Sequence, residues 1–280
     1  MHWHSIDWEK VYRTVRRLQA RIVKAVRAGK WHKVKALVYL LTHSFAGRAL
    51  AILRVVDNRG ANTPGVDNVC WPEAEDRRAA FAGLRRCGYR PQPLRRVYLP
   101  NGNGQKRPLD IPTMVDRAMQ AWYLLGLDPI EETLADGHSY GFGLERCRAD
   151  AVDECHKILR GPHGRDTRGP DGVLEGDLTS CYDRFNHRWL LDHIPMDREV
   201  LGKWLKAGYL EKPALLATTE GTPQGGIISP ALANRALEGL QRLLAERFGA
   251  TRSRQRMCKV HMVRYADDFI ITCTSRILLQ

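Results

Sequence analysis

The sequence predicts a mixed fold of the α+β class, and three observations predict it. Apolar residues recur at helical spacing through the first 60 positions, strand-like and helix-like runs alternate beyond Tyr89, and two β-prone runs at 260–273 flank a tip of adjacent acids. The 280 residues are 44% hydrophobic and 27% charged with a net charge of +13, which excludes a disordered polyelectrolyte and a fibrous chain. A chain this long can bury a large core. No stretch approaches ~18 consecutive apolar residues, so no membrane is expected among its partners. Met1–Ser5 lacks the basic start and apolar core of a secretory signal. The seven cysteines never fall in Cys-x-x-Cys spacing, which argues against a disulfide framework and a structural zinc site. A cytoplasmic location is expected on both grounds.

In chain order, Ser5 is the expected N-cap of the first helix, with Asp7 and Glu9 in its first turn, where the helix dipole favours anions. Val11, Val15, Leu18, Ile22 and Val26 form one apolar stripe, and Arg13, Arg16, Arg17, Arg21, Lys24 and Arg27 cover much of the remainder. After Gly29-Lys30, Val34, Leu37, Val38 and Leu41 begin a second helix expected to run to about Val55. Residues 1–60 hold 13 of the 44 basic residues and 3 of the 31 acidic ones, a net of +10. Such a one-sided segment points to a polyanion, and the packed apolar stripe favours nucleic acid over a membrane surface. The bland alternative is an ordinary solvated helix face.

The turn-forming run Asn58–Gly65 sets a boundary, giving a basic helical extension over 1–60 and the rest of the fold over 61–280. A short helix is expected over Glu73–Gly88, strands over Leu94–Pro100 and Arg107–Ile111 around the turn Asn101–Lys106, and helices over Asp116–Leu127 and Arg148–Leu159. Gly161–Gly172 reads as a loop, and one helix is expected from about Ser229 to Phe248.

Three segments carry chemical content. The first, Val173–Asp183, is a short apolar strand ending at Asp177 with Tyr182 five residues on; alone it reads equally as a turn acid or a cap. The second, Val260–Cys273, is a hairpin whose tip holds Asp267 and Asp268; alone it reads equally as a solvated turn. Together they place three carboxylates at strand ends, and hard divalent cations such as Mg²⁺ want converging oxygen ligands. The third, Thr219–Pro230, carries Gly225-Gly226, which lets a backbone approach a ligand closely, beside a Gln224 that turn chemistry does not explain.

In order, these read Asp-x₅-Asp, Thr-Pro-Gln-Gly-Gly-x-x-Ser-Pro and Tyr-Ala-Asp-Asp, and the combination resembles the palm of reverse transcriptases, above all those encoded by group II introns. Thr63-Pro64-Gly65-Val66-Asp67, Arg107–Thr113, Asp116-Arg117-Ala118-Met119-Gln120 and Ser139-Tyr140-Gly141-Phe142 are similar to further blocks of that family. The resemblance implies a right-hand polymerase arrangement: fingers, and an antiparallel palm sheet backed by helices, preceded by the basic helical segment. It implies an RNA-directed DNA polymerase that extends a DNA primer on an RNA template, with deoxynucleotides as substrates and group II intron RNA as a partner. Asp177, Asp267 and Asp268 would be catalytic and, with Leu178 beside them, would hold two Mg²⁺. Lys106 and Arg107 would clamp the triphosphate. Tyr182 would exclude a 2′-hydroxyl by volume, Gln224 and Gly225 would touch the nascent pair or template, and the six basic residues from Arg13 to Arg27 would grip RNA.

Departures from the family pattern are Asn101 for a usual lysine, Gly143 for a usual arginine, Asp110 for a usual glycine and a longer 161–172 connection. The chain stops twelve residues past Asp268, so the thumb and later segments are expected to be missing and synthesis by this polypeptide is expected to be weak or non-processive. The alternative function is a non-catalytic module that binds intron RNA. An RNA-dependent RNA polymerase is disfavoured, because such enzymes usually carry Gly-Asp-Asp and a smaller residue near position 182.

Overall fold

In a computed structural model, residues 2–100, 104, 106–160, 169–212, 214–249, 257–275 and 277 are described. The expected turn at 101–106 and loop at 161–172 therefore fall largely outside the described residues. The chain divides into two compact units: unit 1 comprises Met1–Thr133 and Tyr182–Leu232, unit 2 comprises Leu134–Cys181 and Ala233–Gln280. Residue 60 falls inside unit 1.

Unit 1 opens with α1 (Trp8–Arg27), α2 (Trp31–Thr42) and α3 (Phe45–Val56). The cap of α1 corrects the sequence expectation. Asp7 caps it by accepting the Lys10 amide at 2.9 Å, while Ser5 closes a preceding 3₁₀ turn. The apolar stripe of α1 is buried as expected, and all six basic residues from Arg13 to Arg27 are exposed. The second helix is also corrected: it is two helices bent by 66°, because Ser44 bonds the Gly47 amide at 2.9 Å and starts α3 afresh. Among the described residues no single helix is long and apolar enough to cross a membrane.

Next come α4 (Ala74–Gly83), strands β1 (Leu94–Pro100) and β2 (Lys106–Ile111), and α5 (Met114–Leu134). A hairpin register from Arg95 opposite Ile111 to Pro100 opposite Lys106 joins β1 and β2. Helix α6 (Arg148–Arg160) and strand β3 (Gly172–Asp177) belong to unit 2. Unit 1 resumes with α7 (His187–His193), α8 (Arg198–Leu205), β4 (Tyr209–Glu211) and β5 (Ala214–Leu216). Its sheet runs β2-β1-β4-β5, with β1 and β4 parallel.

The expected helix from Ser229 to Phe248 breaks into α9 (Ser229–Ala236) and α10 (Leu240–Phe248), because Gly239 takes a left-handed φ of +95° between them. Unit 2 finishes with β6 (His261–Tyr265) and β7 (Asp268–Cys273), and its sheet runs β3-β7-β6, antiparallel throughout. Mixed helices and sheets, with one wholly antiparallel sheet, agree with the α+β expectation.

One ion pair in unit 1 predicts a pH response. The Asp128 side chain in α5 is 16% exposed and lies 3.5 Å from Arg54. Burial pushes its carboxyl up to about 6, with Arg54 opposing. An acid raised on folding binds its proton more tightly in the native state, so stability falls as pH climbs from about 4 through about 6. Asp128→Asn should remove that slope, gaining about 2–3 kcal/mol on wild type between pH 4 and pH 7.5 in urea unfolding.

Candidate active site

Unit 2 holds the acids. The register of β3 against β7 sets Asp177 directly opposite Asp268, and alternation places Glu175 on the same face. Asp267 lies in the two-residue connection between β6 and β7, where its carbonyl accepts the Leu178 amide at 3.4 Å. Ahead of it Ala266 holds φ at +58°, a left-handed conformation that costs a non-glycine residue roughly 1–2 kcal/mol. Gly176 is required by what lies over it, because a Cβ there would collide with the ring of Phe269.

Like charges opposed across a strand pair destabilise the sheet. Burial, then Asp267, Asp177 and Glu175, raise the Asp268 carboxyl above its ordinary range. The neighbouring Cys181 thiol is pushed up to about 11 by burial, Asp267 and Asp177, so it stays protonated at neutral pH. Among the described residues no three His, Cys, Asp or Glu side chains are gathered tightly enough to hold an ion. The donor chemistry nevertheless fits a hard divalent cation: Asp177 and Asp268 share a face, Asp267 adjoins them, and the repulsion that raises Asp268 is what a cation would relieve. Leu178 can contribute only its carbonyl, which already accepts the Cys181 amide at 3.1 Å.

Unit 1 holds the residues that the family resemblance leads one to expect at the nucleotide. Lys106 and Arg107 open β2 and are exposed. Arg107 Nε donates to Gln224 Oε1 at 3.0 Å, while the Gln224 carbonyl accepts the Asp110 amide at 2.7 Å. This accounts for Gln224: its side chain aims Arg107 and its backbone fastens to β2. Gly225 sits at φ +122° with its Cα against β2, where a Cβ would stand 2.6 Å from the Asp110 carbonyl. The same loop joins Tyr182, whose carbonyl accepts the Thr222 amide at 2.7 Å, while the Phe185 carbonyl accepts the Gly221 amide at 2.8 Å. The Tyr182 ring meets Phe185 edge to face at 6.1 Å.

Three supporting contacts had no sequence signal. Asp110, 5% exposed, takes both guanidinium arms of Arg96 at 2.8 Å, and Arg96 stacks 3.4 Å over the Tyr209 ring. The charge that departs from the family glycine is thus compensated. Arg117 donates to the carbonyls of Pro112, Gly60 and Thr63 at 3.0, 2.9 and 2.5 Å, tying the turn run to the end of β2. In unit 2 a side chain at Gly143 would stand 2.8 Å from Arg146 Cδ, so Arg146 fills that space and donates to the Asp136 and Ser139 carbonyls.

Comparison with known proteins gives this arrangement a class. Residues 3–84 match the N-terminal domain of reverse transcriptase, and residues 99–280 match the reverse transcriptase (RNA-dependent DNA polymerase) family, to which the chain belongs. It is 34% identical over 249 residues to protein YkfC of Escherichia coli strain K12, covering 77% of this chain and 65% of that protein. It is 34% identical over 206 residues to the group II intron-encoded protein LtrA of Lactococcus lactis subsp. cremoris, covering 70% of this chain and 33% of LtrA. A putative COX1/OXI3 intron 2 protein of Saccharomyces cerevisiae is 28% identical over 163 residues, covering 56% of this chain and 18% of its own. The chain thus spans just under two thirds of YkfC and a third of LtrA.

Proposed function

We propose that this chain is an RNA-directed DNA polymerase of the group II intron type, which adds deoxynucleotides to a DNA primer on an RNA template. The observation that carries the reading is the direct opposition of Asp177 and Asp268 beside Asp267 in a chain of the reverse transcriptase family. On this reading the antiparallel sheet of unit 2 is the palm sheet, the hairpin of β1 and β2 belongs to the fingers, and residues 1–60 are an RNA-binding extension. Asp177, Asp267 and Asp268, with the Leu178 carbonyl, would hold two Mg²⁺. Bound there, the ions would lower the pKa of the primer 3′-hydroxyl and stabilise charge on the departing pyrophosphate.

The remaining residues orient and select. Arg107, aimed by Gln224, offers a fork of donors to the triphosphate, and Lys106 adds a mobile charge. Gly225, bare where it lies against β2, lets the loop run close along that strand, from which Gln224 and Gly225 would touch the nascent pair or template. Tyr182 fills the volume a 2′-hydroxyl would need. Arg13, Arg16, Arg17, Arg21, Lys24 and Arg27 share the exposed side of α1 and would neutralise RNA phosphates, giving a salt-dependent affinity. The seven unpaired cysteines suit a cytoplasmic, reducing setting.

Primer extension on an RNA template with Mg²⁺, run in parallel with deoxynucleotides and ribonucleotides, tests the reading. Incorporation of deoxynucleotides alone is expected. RNA binding without incorporation would replace it with the second reading, a non-catalytic intron-RNA-binding module, for which the exposed basic side of α1 speaks.

A further inference from the structure

Behind the acidic hairpin one arginine is enclosed. Arg264 is 2% exposed. It pairs across the hairpin with Phe269, one step from the Tyr265 and Asp268 pair, so its side chain lies on the sheet face opposite Asp177 and Asp268. Its backbone is held from outside the hairpin: its amide donates to the His138 carbonyl at 2.9 Å, and its carbonyl accepts the Tyr140 amide at 2.8 Å. Its Nη1 donates to the Ala266 carbonyl at 3.0 Å and to Asn234 Oδ1 at 3.3 Å. Asn234 Nδ2 in turn donates to the Gly141 carbonyl at 2.8 Å. Gly141 stands directly behind the tip, where a Cβ would collide with the Ala266 amide nitrogen and come within 2.8 Å of the Ala266 Cα.

A buried guanidinium is a costly way to fill this space. Its Nε and Nη2 find no hydrogen-bond acceptor among the described residues, with Asp136 and Glu238 acting on it only through their charge, and an apolar side chain of similar size would avoid that penalty. The bonds it does make go to the tip carbonyl and to the asparagine that fastens residue 141. Ala266 is the residue held in the left-handed conformation, and its carbonyl belongs to the peptide that leads into Asp267.

We infer that Arg264, braced by Asn234 and Gly141, is a positioning residue that fixes the Ala266–Asp267 peptide and so the direction of the Asp267 carboxylate. The inference rests on the reading of Asp267 as a metal ligand. It also explains what the Ser139-Tyr140-Gly141-Phe142 block does, since its backbone is the plate against which the tip is pressed.

The test compares wild type with Arg264→Met, Arg264→Lys and Gly141→Ala, using hydrogen exchange at single amides and steady-state single-nucleotide incorporation. Arg264→Met should speed exchange at the Asp267 and Asp268 amides about tenfold or more, while Ile270–Cys273 keep their protection. It should lower kcat by about 10- to 100-fold with KM for the deoxynucleotide within about twofold, the mark of lost orientation rather than lost substrate binding. Lysine should restore part of both effects, since one ammonium can reach the Ala266 carbonyl. Gly141→Ala should give the same local signature with Arg264 intact. Unchanged exchange at 267–268 in Arg264→Met overturns the inference. If that variant loses protection throughout the sheet, Gly141→Ala decides: a change confined to the tip supports the inference and none overturns it. Faster exchange at the tip in a chain whose wild type incorporates no nucleotide keeps the positioning role and overturns the polymerase reading instead.

Discussion

Changing Asp267 and Asp268 together to asparagine should lower templated deoxynucleotide incorporation by about three or more powers of ten while leaving the ion-free protein slightly more stable. The two effects share one cause. Opposed carboxylates at the ends of β3 and β7 repel, and that repulsion, added to burial, raises the Asp268 carboxyl. Removing like charges from directly paired positions returns up to about 1 kcal/mol to the sheet. An acid raised on folding causes no penalty below the ordinary carboxylate range and its full penalty above its folded value. The variant's advantage should therefore be present at pH 7.5 and vanish near pH 4. Activity moves the other way, because metal-held charge stabilisation is worth several kcal/mol and each 1.36 kcal/mol is a factor of ten. Thermal unfolding with and without MgCl₂ links the two. Mg²⁺ should raise the midpoint of wild type by mass action and leave the variant unmoved. Activity within tenfold of wild type, or equal stabilisation of both proteins by Mg²⁺, would count against these acids as ligands.

What the sequence disclosed of this site divides by range. The placement of Asp177, Asp267 and Asp268 at or beside strand ends was legible because short apolar, β-prone runs adjoin them, and the flanks of 260–273 specify a hairpin locally. The pairing of β1 with β2 was legible for the same reason. What was missed depends on partners far along the chain. Strands β4 and β5 have three residues each, too few to show a period, and β4 is fixed by parallel pairing to a strand over a hundred positions earlier. The Arg96 and Asp110 pair looked like a departure when only Asp110 could be judged; its partner lies across the hairpin. Gln224 resisted explanation because its two bonds reach 117 and 114 residues back. Helix ends failed on competition between near neighbours: Ser5 and Asp7 are both good caps, and a two-residue shift in the first turn chose Asp7. The breaks at Ser44 and Gly239 lay within apolar patterns that continue on either side.

Asp116→Leu should destabilise unit 1 by about 3–5 kcal/mol, among the largest single-residue costs in the chain. Asp116 is 3% exposed at the start of α5 and collects three donors: the Tyr89 hydroxyl at 2.6 Å, the Thr113 hydroxyl at 2.7 Å and the Gln92 amide at 3.2 Å. Tyr89 in turn accepts Trp204 Nε1 of α8 at 2.7 Å. One carboxylate therefore joins α5 to the lead-in of β1 and, through a phenol, to α8. Leucine strands all three donors in a dry site, and each buried unsatisfied group costs about 1–3 kcal/mol, part of which the better packing of leucine offsets. Asparagine keeps one acceptor oxygen and should cost less, about 1–2 kcal/mol. Burial raises the Asp116 carboxyl while its hydrogen bonds oppose the rise. Wild type therefore loses stability as pH climbs through that raised range, and the asparagine penalty should be larger at pH 4 than at pH 7. Tyr89→Phe in the Asp116→Leu background separates the network from simple packing. With the phenol gone its stranded donor is gone too, so the double variant should be less destabilised than the two single costs combined by about 1 kcal/mol or more in urea unfolding. Simple additivity would mean that the three donors find water or relax independently, and that the carboxylate does not hold α5, β1 and α8 as one piece.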